Sequence, residues 1–320
     1  MQTEFEFIDK IRNRYSLDKL GDDCAVLPKD SKMDQVVTAD LLVEDIDFHL
    51  EWTNPEFLGH KSLAVSLSDV AAMGARPVWS MLSIGIPENV WNTDFIDRFY
   101  EGWFTLAGEF AVELVGGDVS RAPDKIVIDS VVGGKLAKGK AILRSTAKAG
   151  DAICVSGSLG GASGGLKLLD TGFRFNDAPS GGSEQNLISR QLQPRPQLRL
   201  ANILQSLSIV NSMIDLSDGL SSDLNHLCTA SGLGARIYSE KIPVDENLAS
   251  FFSPDERLDL ALNGGEDFEL LFTVNEKHFP LPESVEVTVI GEMTADAGLI
   301  ELVRNAKTQI LDSKGFRHFQ

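Results

Sequence analysis

Apolar residues run through this chain at two periods. At three- and four-residue spacing, Leu58, Leu63, Ala64, Leu67, Val70 and Ala71 predict a helix over Pro55–Met73, ended by Gly74 and Pro77. Phe95, Phe99, Trp103, Leu106 and Phe110 line one face of a second helix over Phe95–Phe110, and residues 5–15 read as a short amphipathic one. Denser apolar runs predict strands at Val36–Val43, Val78–Ile86, Val112–Val115 and Ile126–Val132. A second unit opens near Lys140. It offers a strand at Ala152–Val155, a glycine-rich turn over 157–165 leading to a short helix through Leu169, and a loop over 171–186. A helix around 197–207, a strand at Met213–Leu216, a helix near 220–230 and late strands at Phe268–Val274 and Val285–Ile290 follow, before a short aromatic tail, Asp312–Gln320. Strands and helices mixed in this way predict an α/β (α+β layered) fold.

The length, 320 residues, suits two domains, expected as 1–139 and 140–320. Net charge changes the picture more. With 47 acids against 29 basic residues the chain carries −18, which repels phosphate backbones, and no basic run offsets it, so nucleic acid is excluded as a general partner. Cys24, Cys154 and Cys228 are odd in number and far apart, which fits a reducing compartment better than a disulfide framework. The first ten residues hold three acids and no basic-then-apolar leader, and no apolar run approaches the ~18 residues of a membrane span. The expectation is a cytoplasmic protein without a membrane partner.

The candidate chemistry lies in acids set beside apolar strands and small-residue turns: Asp22-Asp23, Asp40, Asp69, Gly117-Asp118, Asp215 with Asp218, and Glu266-Asp267. Each alone reads equally well as a cap or a turn. Asp69 differs, because it stands in an apolar helix whose positions three and four residues away are Val65, Ser66, Ala72 and Met73. A carboxylate buried there needs a partner from elsewhere, and a cation is a good candidate. Several such acids suit hard, oxygen-liganded ions such as Mg2+. The five histidines show no zinc spacing. The 157–165 turn opens a helix, so its N–H groups suit a phosphate, although flexible packing explains the glycines equally well. It is not a Walker A loop, and no kinase signature is present. Arg144 or Arg121 offers a planar fork for phosphate.

Taken in order, Gly21–Leu27, Thr38–Glu44, Leu63–Gly74, Gly116–Arg121, Arg144 with Gly150-Asp151, Ile214–Leu220, Gly264–Leu271 and Lys314–Phe319 resemble the thiamine-monophosphate kinase family of the aminoimidazole-ribonucleotide-synthetase-like superfamily. The resemblance spans nearly the whole chain. It implies that family's two-domain fold, with an N-terminal sheet domain involved in dimerisation and a C-terminal α/β domain that completes an active-site cleft. It implies a homodimer that uses ATP to phosphorylate thiamine monophosphate to thiamine diphosphate. Carried over by position, Asp23, Thr38, Ala39, Asp40, Asp69, Asp118, Asp215 and Asp218 would hold several magnesium ions. Gly117, Asp118, Arg144 and Ser217 would lie against ATP, and Asp47, Glu266 and Phe316 against the thiamine substrate. Two positions depart from the family pattern. Asp47 stands where many members have histidine, and Ala39 where some have threonine, so a metal contact at Ala39 must use the backbone carbonyl.

The implied reaction needs no catalytic residue acting as general base, because a phosphate monoester is mostly dianionic at neutral pH. Direct transfer without a phospho-enzyme is expected, with Phe316 stacking on a substrate ring. The rivals are another ATP-using member of the superfamily and a non-catalytic nucleotide or metal sensor. A selenophosphate-synthetase role needs a reactive cysteine with a neighbouring lysine, which Cys24 lacks, and a carbamoyl-transfer role a C-terminal cysteine, where this tail ends in Phe319-Gln320.

Overall fold

The structure is a computed structural model that describes residues 4–17, 19–177 and 180–316. Helix α1 (Glu4–Tyr15) leads into strands β1 (Ala25–Pro28) and β2 (Met33–Val43). Helix α2 (Pro55–Ala72), β3 (Arg76–Ile86), the single turn α3 (Glu88–Trp91), α4 (Phe95–Phe110), β4 (Glu113–Arg121) and β5 (Val127–Ala137) complete the first half. The strands form a five-stranded sheet in the order β1-β2-β5-β3-β4, antiparallel except for the β3–β4 pair. Along β2 the side chains alternate, Val36, Thr38 and Leu42 buried and Leu41 exposed, as a sheet covered on one face requires.

The cover is α2, backed by α4. Asn54 caps α2 by accepting the Phe57 N–H, and Pro55 occupies the first turn, where its missing N–H costs nothing. Two glycines let the helices touch: a Cβ on Gly59 would lie 1.9 Å from the Phe99 oxygen, and one on Gly102 1.9 Å from the Glu56 oxygen. Helix α2 is buried nearly all round because its other side meets the second half of the chain.

That half contains β6 (Asp151–Ser156), α5 (Gly161–Asp170), α6 (Ser183–Leu192), α7 (Leu198–Leu207), β7 (Val210–Asp215), α8 (Leu220–Ser231), β8 (Gly234–Tyr238), α9 (Pro254–Asn263), β9 (Leu270–Asn275), β10 (Val287–Thr294), β11 (Ile300–Arg304) and β12 (Lys307–Ile310). Its seven-stranded sheet runs β12-β11-β8-β10-β6-β9-β7, with only β8–β11 parallel. One apolar core runs from Leu63, Leu67 and Val70 of α2 to Met213 and Phe272 of this sheet and to Phe268 in the turn before β9.

The structure departs from the sequence expectations at particular points. Strand β4 continues through Gly116-Gly117-Asp118, which the sequence placed after the strand. Helix α6 begins at Ser183, inside the expected loop, and β8, α9, β11 and β12 had no clear period to announce them. Phe268 is not in β9: Glu266 and Phe268 have φ of 67° and 50°, a left-handed turn that no strand continues. The expected Arg317-His318-Phe319 end of the tail lies outside the described residues. Among the described residues no helix is long and apolar enough to cross a membrane.

Candidate active site

Three acids far apart in the chain meet where α2 passes between the two sheets. Asp23 comes from the turn before β1, Asp69 from the end of α2 and Asp215 from the end of β7, and one carboxylate oxygen of each lies within 4.8 Å of the others. Hydroxyls orient them. Thr38 of β2 donates to Asp69, and Ser68 Oγ donates to Asp215 Oδ2 at 2.6 Å. Asp40, one residue pair along β2, accepts from Ser66 Oγ at 2.6 Å. Thus three neighbouring residues of α2, Ser66, Ser68 and Asp69, reach the acids of both halves. Arg144 grips Asp23 with both arms of its fork, Nη2 to Oδ1 at 2.7 Å and Nε to Oδ2 at 3.2 Å, and its backbone N–H donates to Asp22.

The charges do not balance. Burial, then the neighbouring charges of Asp40, Asp215 and Asp23, raise Asp69 well above the usual carboxylate range. Burial and Asp23 do the same to Asp215, against the Ser68 hydrogen bond and Arg144. Burial lifts Asp40 to about 6, with Asp129 adding to it. Burial works against the Arg144 charge, but Asp23, Asp215 and Asp69 outweigh it and raise its pKa. One guanidinium among these acids leaves an oxygen-only donor set short of positive charge, which is the chemistry of a hard divalent cation site.

The Asp215–Gly219 turn continues the site. Asp223 of α8 accepts the Asp218 and Gly219 N–H groups at 3.2 and 3.0 Å, and Asp218, Asp223 and His226 offer a second close set of ligand atoms. Burial and the charges of Asp218 and Asp215 push Asp223 well up, whereas burial and then Arg144 bring His226 down to about 4. Phe316, half exposed, donates its N–H to the Asp218 oxygen at 3.1 Å, so the tail crosses this turn. Ser217, half-buried, accepts from the Glu266 N–H at 2.8 Å, which ties the turn to Glu266.

Glu266 begins a run of three acids that are each held separately. Its own carboxylate meets Lys61 of α2 and Gln191 of α6. Asp267 accepts the N–H groups of Gly160 and Ala162 at 2.6 and 3.1 Å and pairs with Arg190 at 3.3 Å. Glu269, lifted to about 7 mainly by burial, accepts from Ser156 and lies 3.5 Å from Arg190. This corrects the phosphate reading of the 157–165 turn: its helix-opening N–H groups are filled by the chain's own Asp267.

Other expected residues fall elsewhere. Asp47 accepts the Val43 N–H at 2.8 Å and so closes its own turn. Ala39 is exposed on the face of its sheet opposite Asp40. Asp40, Ser130, Leu82 and Gly117 stand in one row across the first sheet, three strand spacings or about 14 Å from end to end. Asp118 pairs in register with Ser83, between the buried Leu82 and Ile84, and therefore lies on the outer face, away from the Asp23–Asp69–Asp215 cluster. Sequence reasoning missed Lys61, Gln191, Arg190 and Asp223. The one available signal was Lys61, a lone cation in an otherwise small and apolar helix.

Both halves of the chain match the AIR synthase related proteins. Residues 21–136 match the N-terminal domain of that family and residues 148–303 its C-terminal domain. The thiamine-monophosphate kinase of Escherichia coli K12 is 38% identical over 306 residues, covering 94% of this chain and 91% of that one. A solved structure described as AaThiL complexed with AMPPCP and TMP superposes with a TM-score of 0.88 at 31% identity, over 99% of this chain and 97% of that one. The thiamine-monophosphate kinase of Stenotrophomonas maltophilia K279a gives 0.80 at 35% identity, over 95% and 97%. This chain belongs to the thiamine-monophosphate kinase family.

Proposed function

We propose that the Asp23–Asp69–Asp215 cluster is the centre at which this enzyme transfers the terminal phosphoryl group of ATP to thiamine monophosphate, giving thiamine diphosphate. The observation that carries the reading is the crowding of these carboxylates at one point with a single guanidinium to offset them. Such a set fits magnesium by its chemistry: hard oxygen donors, closely spaced, whose charge burial opposes. When bound, magnesium ions neutralise and align the two phosphate-bearing reactants for in-line transfer.

In this reading Asp23, Thr38, Asp40, Asp69, Asp215, Asp218 and the Ala39 carbonyl serve the metal ions, while Asp118, on the outer face of the sheet, stands apart from this cluster. Arg144 offers a phosphate the fork it now gives to Asp23, with Gly117 and Ser217 beside the nucleotide. Glu266 and Phe316 receive the substrate rings. No residue acts as general base, because the acceptor oxygen already carries charge at pH 7. Residues 1–139 form the half that bears the dimerising sheet and 140–320 the half that completes the cleft. A second copy of the chain covers the outer face of the first sheet, where Leu41, Met81 and Val115 are exposed.

The test follows thiamine diphosphate directly, with ATP, magnesium and thiamine monophosphate, against free thiamine as acceptor. Product is expected only with the monophosphate and magnesium. Asp69→Asn and Asp215→Asn are each expected to lower kcat/KM by about 100-fold or more. Near-normal turnover of both variants at saturating magnesium would sink the metal reading, and ATP binding without diphosphate would favour a sensor.

A further inference from the structure

Lys61 lies in the middle of α2 with 3% of its side chain exposed, and it pairs with an acid of the other half of the molecule. Its Nζ stands 2.8 Å from Glu266 Oε1 and 2.9 Å from Oε2, and 3.4 Å from the backbone oxygen of Gln191. The Gln191 amide donates to the same Oε2. The backbone fixes Glu266 as well. It sits at φ 67°, its N–H bound to Ser217, and the Phe268 N–H bound to Leu216 at 2.8 Å. A non-glycine residue at positive φ persists only where its surroundings hold it there.

Burying an ammonium merely to join α2 to this turn is a poor use of it, because an apolar contact would join them at least as well. Glu266, though, keeps 30% of its side chain exposed. A carboxylate has about four acceptor directions, and Lys61 and Gln191 leave at least one open. Seven residues beyond Lys61, on the same stripe of α2, Ser68 donates to Asp215 of the carboxylate cluster. Two turns of helix put the Glu266 pair and that cluster about 10 Å apart along the axis. A substrate with a phosphate at one end and two linked rings spans such a distance.

We propose that Lys61 is a positioning residue for the acceptor. With Gln191 it fixes the Glu266 carboxylate to receive the ring end of the substrate while the phosphate end lies at the acids. This rests on the proposed function above. Because the ammonium offsets the carboxylate, the pair reads an N–H donor, such as the amino group of the pyrimidine, more than the positive charge of the thiazolium.

The experiment measures KM and kcat, and thiamine monophosphate binding by calorimetry, on the full chain. Lys61→Met is expected to raise KM and Kd for thiamine monophosphate about tenfold or more, through the loosened charged hydrogen bond. The KM for ATP should stay within about twofold, and kcat should change much less than KM for the acceptor. Glu266→Gln should weaken the same constants, and adding Lys61→Met to it should do no further harm, since one residue acts through the other. Gln191→Leu should move KM in the same direction, and with the charge-neutral double variant it carries the test if Lys61→Met does not fold. An unchanged acceptor KM in these variants, or additive effects in the double variant, overturns the inference while wild-type turnover leaves the functional reading standing. A wild-type chain that binds no thiamine monophosphate removes both.

Discussion

At Asp69 and Asp215 burial and mutual repulsion act together, and the sign of their effect on stability follows. Their pKa values are raised in the folded chain, and Asp40 is lifted to about 6. In the absence of a cation the folded state therefore keeps protons that the unfolded state releases near pH 4. The stability these groups contribute is present below that pH and falls as pH rises through about 6. A cation competes with those protons, so its benefit grows in the same direction. The rise in Tm on adding magnesium should be small near pH 5.5 and clearly larger near pH 7.5, as read by calorimetry. Equal shifts at the two pH values would count against the cluster as the metal site. Asp69 was legible in the sequence because a carboxylate in an apolar helix has no local partner. The partner of Lys61 was not, since it lies 205 residues away.

Helix α2 organises the site at the scale of elements. It gives Ser66 to Asp40, Ser68 to Asp215, Thr38 meets its Asp69, and Lys61 reaches Glu266. Its placement depends on the reciprocal glycine contacts with α4. Gly59→Ala or Gly102→Ala would drive a methyl into a backbone oxygen, and each should cost roughly 1–3 kcal/mol in urea unfolding. A cost below about 0.5 kcal/mol would mean that the helices separate freely and do not fix the site. The apolar spacing of α2 and α4 announced both helices. Helix α6 was hidden behind a glycine-rich, polar lead-in, yet its Arg190 and Gln191 hold the whole Glu266–Glu269 turn.

For the whole molecule, the open question is what covers the first sheet. Its helix side is closed by α2 and α4, whereas Leu41 is 60% and Met81 43% exposed on the other side. A face of this kind marks an association surface. Leu41→Lys combined with Met81→Lys should shift the chain from dimer to monomer in sedimentation velocity, with the far-UV spectrum unchanged. A wild-type chain that sediments as a monomer would refute the dimer.

The sequence by itself determined the layered α/β architecture, the long helices of the first half and the need of Asp69 for a distant partner, because periodic burial and a carboxylate with no local partner are local properties of a chain. The family resemblance was carried in the same way, by short segments in order. Only the tertiary structure decided which acids meet, since Asp23, Asp69 and Asp215 converge through the packing of two sheets on one helix. It also decided that Asp267, more than a hundred residues away, fills the glycine-rich turn that looked ready for phosphate. Partnerships between distant charges depend on three-dimensional distance, and sequence spacing does not contain it.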